Sequence, residues 1–202
     1  MTGRIEMRDP LFEGDDEANT PLTSEEREQL IPSYITLRHE LNEAEQKNIG
    51  NALIWLRRRR REVLDQAFLN SLHKQMFGEV WQWAGRYRTT ARNIGIDAYR
   101  IPVELGQAID NTRYWVAHET FPPDEIALRF SHRIVSIHPF PNGNGRFSRL
   151  VGDLLANQMG QPEFTWGRMS LVAASDLRRE YVRALQAADK QDLLPLLRFA
   201  RA

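Results

Sequence analysis

Cysteine is absent from the 202 residues, which excludes disulfide bridges and thiolate metal sites and suits a reducing cytoplasm. An excess of charge of either sign is missing too. Lys and Arg total 27 and Asp and Glu total 27, so the formal net charge is zero. No global field therefore argues for a nucleic-acid partner. No apolar run approaches the roughly 20 residues that a membrane-spanning helix requires. Met1–Asp16 is mixed and charged, without the apolar centre of a signal segment. The expectation is a soluble cytoplasmic protein with no membrane partner. Internal repeats and low-complexity tracts are also lacking. With 42% hydrophobic residues, the chain can build one sizeable core, or a core with a short appendage.

What is present reads mainly as helix. Residues 1–20 are acidic and Gly-containing, which predicts a flexible arm. Thr23 or Ser24 is placed to cap a short helix through Glu25, Glu26 and Glu28, whose carboxylates suit a first turn. From Ile35 to Arg61 there is no proline, and Leu41, Ala44, Ile49, Leu53 and Leu56 recur among charges. This predicts one long helix, or two abutting ones broken at Gly50. Asp65–Met76 follows, burying Phe68, Leu69 and Leu72. Further helices are expected near 103–118 and 124–137, the latter entered through Pro122-Pro123. Phe147, Leu150, Val151, Leu154 and Leu155 form a helical stripe ended by Gly160 and Pro162. Two last helices fit 169–187 and 190–200. Tyr87–Ile101 alternates irregularly around Asn93 and Gly95, which predicts a short hairpin. The fold class is an all-α bundle with one small β-hairpin. It is organised as an arm (1–20), a helical extension (21–61) and a core (62–202). The five arginines Arg57–Arg61 invite a nucleic-acid reading, but Glu62, Asp65 and the balanced charge favour a solvated or internally paired face.

The most informative stretch is His138-Pro139-Phe140-Pro141-Asn142-Gly143-Asn144-Gly145-Arg146-Phe147-Ser148-Arg149. A histidine can take a proton from an attacking hydroxyl near neutral pH. A turn flanked by Gly143 and Gly145 lets backbone N–H groups approach a phosphate unobstructed. The helix that follows adds the positive end of its dipole. Arg146 and Arg149, three apart, can fork around phosphate oxygens, or Arg149 can pair with Asp153 on the same helix. Phe140 is expected to face inward and anchor the loop.

This stretch resembles the signature of the Fic family: His, any, Phe, any, Asp or Glu, Gly, Asn, Gly, Arg, any, any, Arg. Every fixed position matches except the acidic one, held here by Asn142. Leu72–Arg88 is similar to the segment before the family's flap, and Thr20–Ile49 resembles the branch called mobile mystery protein B. The resemblance implies a Fic-type helical bundle and transfer of AMP from ATP to a Ser, Thr or Tyr hydroxyl of a target protein. It assigns His138 as base. It gives Gly143, Asn144 and Gly145 to the diphosphate, through backbone donors and the Asn144 amide, and Arg146 and Arg149 to the phosphates. Asn142 would stand at the Mg²⁺ position with a neutral, weaker ligand. Asn93, Ile94, Gly95 and Ile96 would form the flap that aligns the target chain.

The resemblance implies that many members are restrained by a helix carrying Ser or Thr, three residues, then Glu followed by Gly or Asn; the carboxylate pairs with the second signature arginine. Ser24 with Glu28 and Thr36 with Glu40 half-match that pattern, which Gln29 after Glu28 and Leu41 after Glu40 leave incomplete. Ordinary charged helices produce such half-matches readily. The resemblance also allows inhibition by a separate antitoxin-like protein, or a helix-turn-helix partner. Two other readings stay open because of Asn142: a relative using a different phosphate donor, and a weakly catalytic protein-binding module.

Overall fold

The computed structural model describes residues 23–58, 62–167 and 174–202. The arm at 1–20, Arg59–Arg61 and the start of the helix expected from 169 lie outside the described residues. Eight helices run through the described chain: α1 (Ser24–Arg27), α2 (Arg38–Leu56), α3 (Gln66–Phe77), α4 (Ile101–Ala117), α5 (Pro123–Ile137), α6 (Asn144–Gln158), α7 (Ala174–Asp189) and α8 (Leu194–Arg201). A 3-10 turn, Ala98–Arg100, leads into α4.

Local chemistry sets most boundaries. Thr23 caps α1 in a reciprocal box: Glu26 N–H donates to Thr23 Oγ1 at 3.2 Å, and Thr23 N–H donates to Glu26 Oε2 at 2.9 Å. Asp65 accepts from the N–H groups of Ala67 and Phe68 to open α3. Prolines sit in the first turns of α4, α5 and α8, where a missing N–H costs nothing. Gly50 does not break α2, which runs unbroken through it on an exposed face.

The centre is the antiparallel pair α5 and α6, joined by the signature loop. Ile126, Phe130, Ile134 and Ile137 of α5 meet Phe147, Val151 and Leu155 of α6, all almost fully buried. Each such side chain contributes about 1.5–3 kcal/mol by leaving water. α4 packs on α5 and α2 packs on α3, while α7 and α8 form a pair that reaches α5 through α8. Phe140 is fully buried as expected, with its ring edge-on to Phe147 at 5.2 Å.

One reading needs correction: no strand forms among the described residues, where the only pairing of that kind is an isolated antiparallel bridge between Leu30 and Trp81. The segment expected as a hairpin is a loop. Two of its carbonyls go to Arg88, whose guanidinium takes Thr90 O at 2.8 Å and also bonds Ile96 O, so these two do not pair across the loop. On α2 the buried residues are Leu41, Glu45, Asn48 and Ala52, with Ala44, Ile49 and Leu56 partly buried against the core and Leu53 exposed. The helix turns polar groups inward because α3 and the chain after it offer partners: Asn48 bonds Gln75 O and Glu79 N–H, both at 2.8 Å.

Candidate active site

The loop between α5 and α6 is shaped by two left-handed residues. His138 ends α5 with φ 55° and ψ 61°, and Gly143 precedes α6 with φ 79°. Glycine is required at 143 because a Cβ there would lie 2.6 Å from the Phe77 ring. Asn144 staples the loop shut: its Oδ1 accepts from Phe140 N–H at 3.0 Å and its Nδ2 donates to Phe140 O at 2.8 Å. That corrects one expectation. The Asn144 amide is engaged inside the loop, so ligand donors at this position come from the backbone. The N–H groups of the first turn of α6 have no partner within the helix and point to its open end.

His138 is 5% exposed. Its pKa is lowered to about 4, first by burial and then by the Arg88 guanidinium, with a backbone hydrogen bond to Val135 opposing and Arg92 adding a smaller lowering. The imidazole is therefore neutral at physiological pH, the form that accepts a proton. Arg88, itself buried, holds the loop entrance: Nε donates to His138 O at 2.7 Å, Nη2 reaches Ile137 O at 3.4 Å, and its own N–H meets Pro139 O at 3.0 Å. Nothing in the sequence separated Arg88 from neighbouring Arg86; only the fold turns it inward.

The two signature arginines have separate supports. The Arg146 guanidinium lies 4.9 Å over the Phe77 ring and donates from Nη2 to Glu45 Oε2 at 2.6 Å. Arg149 lies 5.0 Å over Tyr181 of α7, and its Nη1 comes within 3.9 Å of where a Cβ on Gly145 would be. Arg149 thus turns back over the start of α6. Asp153, weighed as its partner, accepts from Phe164 N–H at 3.0 Å and Trp166 Nε1–H at 2.9 Å.

Asn142 turns its side-chain oxygen onto Gly143 N–H at 2.6 Å. One neutral amide oxygen is a poor set for Mg²⁺, and no cluster of three or more His, Asp or Glu suits a metal among the described residues. The loop does not fit a protein-held metal site. Of the flap residues, Asn93 and Ile94 are exposed. Gly95 packs so closely that a Cβ would meet the His138 Cβ at 2.6 Å, and Ile96 N–H approaches Ile137 O at 3.4 Å. Arg92, at the foot of the flap, forms a buried ion pair with Glu26 of α1.

The carboxylates singled out as restraints sit elsewhere. Glu40 Oε2 accepts from the N–H groups of Thr36 and Leu37 at 2.8 and 2.9 Å, closing the start of α2; these bonds lower its pKa. Glu28 is exposed at the end of α1. The glutamate that reaches a signature arginine is Glu45, buried and also accepting from Trp81 Nε1 at 2.7 Å. Its position four after Leu41, on the buried stripe, was the signal available in the sequence. A cavity of about 230 Å³ between α4, α5 and the α7–α8 turn is lined by none of these residues.

The helical arrangement is that of Fic domains. The BepC protein of Bartonella tribocorum, solved with bound AMPPNP, superposes with a TM-score of 0.66 at 18% identity, covering 89% of this chain and 97% of that one. Fic-1 of C. elegans gives 0.65 at 24% identity, over 87% of this chain and 51% of that one. Residues 63–156, just under half of the chain, match the model of the Fic/DOC family. Among curated relatives, protein adenylyltransferase fic-1 of Caenorhabditis elegans is 30% identical over 132 residues, 63% of this chain and 25% of that protein. Protein adenylyltransferase Fic of Nematostella vectensis is 28% identical over 132 residues, 63% of this chain and 29% of that protein. The chain therefore spans between a quarter and three-tenths of the length of these relatives.

Proposed function

We propose that this chain is a protein adenylyltransferase, taking MgATP as substrate and modifying a Ser, Thr or Tyr hydroxyl on a target protein. The observation that carries the reading is a neutral, buried His138 at one end of a six-residue loop whose other end is the open N-terminus of α6. The hydroxyl gives its proton to His138 as its oxygen bonds to the α-phosphorus. The bond from that phosphorus to the bridging oxygen breaks, and pyrophosphate leaves with the electron pair. Backbone donors from Gly143 to Gly145 and the Arg146 and Arg149 guanidiniums neutralise the charge that develops on the leaving group. The exposed Asn93 and Ile94 would line up the target chain by main-chain pairing. Mg²⁺ belongs here to the nucleotide, with Asn142 at most a weak additional ligand.

The test is incubation with α-labelled and γ-labelled ATP, scoring label retained on protein. Retention from the α position only, lost in His138→Ala, is the expected result. Retention from γ only would mark a different phosphate donor chemistry. Retention from neither would favour a binding module, the reading to which Asn142 in place of an acid lends support. No described helix is long and apolar enough to cross a membrane; a cytoplasmic setting and an antitoxin-like or helix-turn-helix partner remain part of the proposal.

A further inference from the structure

His73, on α3, belongs to no signature, yet it is fully buried and uses both ring nitrogens. Gly85 N–H donates to Nδ1 at 3.0 Å, so that nitrogen carries no proton. Nε2 then bears the hydrogen and donates to the backbone carbonyl of Asn142 at 3.1 Å. Burial lowers the ring's pKa to about 3, which agrees with the neutral tautomer that these two bonds require.

The ring cannot shift to relax either contact. It stacks on Phe140 at 3.7 Å and 19°, with Phe77 at 4.8 Å and Phe147 edge-on at 5.5 Å. Gly85 is equally fixed, because a Cβ there would lie 2.8 Å from Asn70 O and from Lys74 Cβ of the same helix. His73 thus ties the loop to a rigid turn.

The consequence follows from peptide planarity. The Asn142 carbonyl and the Gly143 N–H belong to one trans peptide and point in opposite directions. Holding the carbonyl inward aims the Gly143 N–H outward, beside the free N–H groups of α6. In this structure that N–H donates to Asn142 Oδ1 at 2.6 Å, an oxygen that a phosphate oxygen would replace. A peptide preceding a glycine flips at little steric cost. Once flipped, it would present a carbonyl to the phosphates and repel them.

We propose that His73 is a positioning residue for the anion-binding loop: by holding the Asn142 carbonyl it keeps the Gly143 N–H turned toward the nucleotide phosphates. The inference rests on the nucleotide reading above for its purpose but not for its geometry.

Two substitutions separate its bonds. Gln reaches as far as Nε2 and keeps a donor for Asn142, while Asn reaches only as far as Nδ1 and keeps the Gly85 contact alone. The measurements are the Gly143 amide resonance of the unliganded protein and its affinity for AMPPNP. His73→Asn is expected to move the Gly143 amide and weaken AMPPNP binding about tenfold, the loss of one well-placed donor. His73→Gln is expected to hold the wild-type resonance and bind within about threefold. A folded His73→Asn with both readouts unchanged would overturn the proposal, as would equal damage from both substitutions. If His73→Asn does not fold, His73→Gln decides alone: a displaced Gly143 amide refutes the clamp, and a retained one supports it. Should wild type fail to bind AMPPNP, the nucleotide reading falls while the amide readout still judges the clamp.

Discussion

Acidification from pH 8 to pH 5 is expected to remove about 4 kcal/mol of folding stability through two histidines, His73 and His138. Both are neutral in the native state, with pKa values of about 3 and about 4, because burial disfavours the imidazolium. In the unfolded chain each returns to the ordinary value near 6.5. Between 6.5 and the native value the unfolded state binds the extra proton. Stability is therefore fully present above pH 6.5 and is lost as pH falls. The window closes near pH 4 for His138 and near pH 3 for His73. At pH 5 each has lost roughly 1.5 pH units' worth, about 2 kcal/mol at 1.36 kcal/mol per unit. The assay is urea unfolding at pH 8, 7, 6 and 5, followed by tryptophan fluorescence. The curve should be nearly level from 8 to 7 and steepen to almost 3 kcal/mol per unit below 6. His73→Gln should halve that slope. A stability level to pH 5, or a slope that His73→Gln leaves intact, would refute the placement of neutral imidazoles in the interior.

Glu45→Ala is expected to lower α-label transfer about tenfold, since Glu45 holds one Arg146 nitrogen and leaves the other donors for phosphate. A rise in transfer would instead identify Glu45 as an inhibitory carboxylate. Asn142→Asp is expected to raise the rate at limiting Mg²⁺ by supplying a charged ligand; equal rates at every Mg²⁺ level would remove Asn142 from metal contact. Glu40→Ala should destabilise the start of α2 by removing the carboxylate that accepts from the Thr36 and Leu37 N–H groups, read as a lower melting temperature. It should leave label transfer unchanged, and faster self-modification in this variant would contradict the capping role.

The signature loop was readable because its chemistry is contiguous, with base, turn and arginines inside twelve positions. Helices with clean apolar stripes, α3, α5 and α6 above all, were readable for the same local reason. Long-range pairing was not. The hairpin was expected from residues 87–101 alone, whereas Arg88 binds the Thr90 and Ile96 carbonyls to the end of α5. On α2 the burial of Glu45 and Asn48 was not legible, because their partners, Trp81 and the Gln75 carbonyl, lie some 30 positions later. Asn144 was assigned to phosphate by the pattern, and only the folded loop shows its amide bonded twice to Phe140.

The ion pair between Glu26 and Arg92 gives the four-residue opening helix a reach beyond its size. Both side chains are nearly sealed from water, at 10% and 5% exposure. Replacing Glu26 alone by Ala would leave the Arg92 guanidinium without its carboxylate in this enclosed setting, at a cost of about 3–5 kcal/mol. The strain would fall on the loop from Arg92 to Ile96, which packs on His138 through Gly95. A residue more than a hundred positions before the histidine thus helps set the shape of the surface beside it.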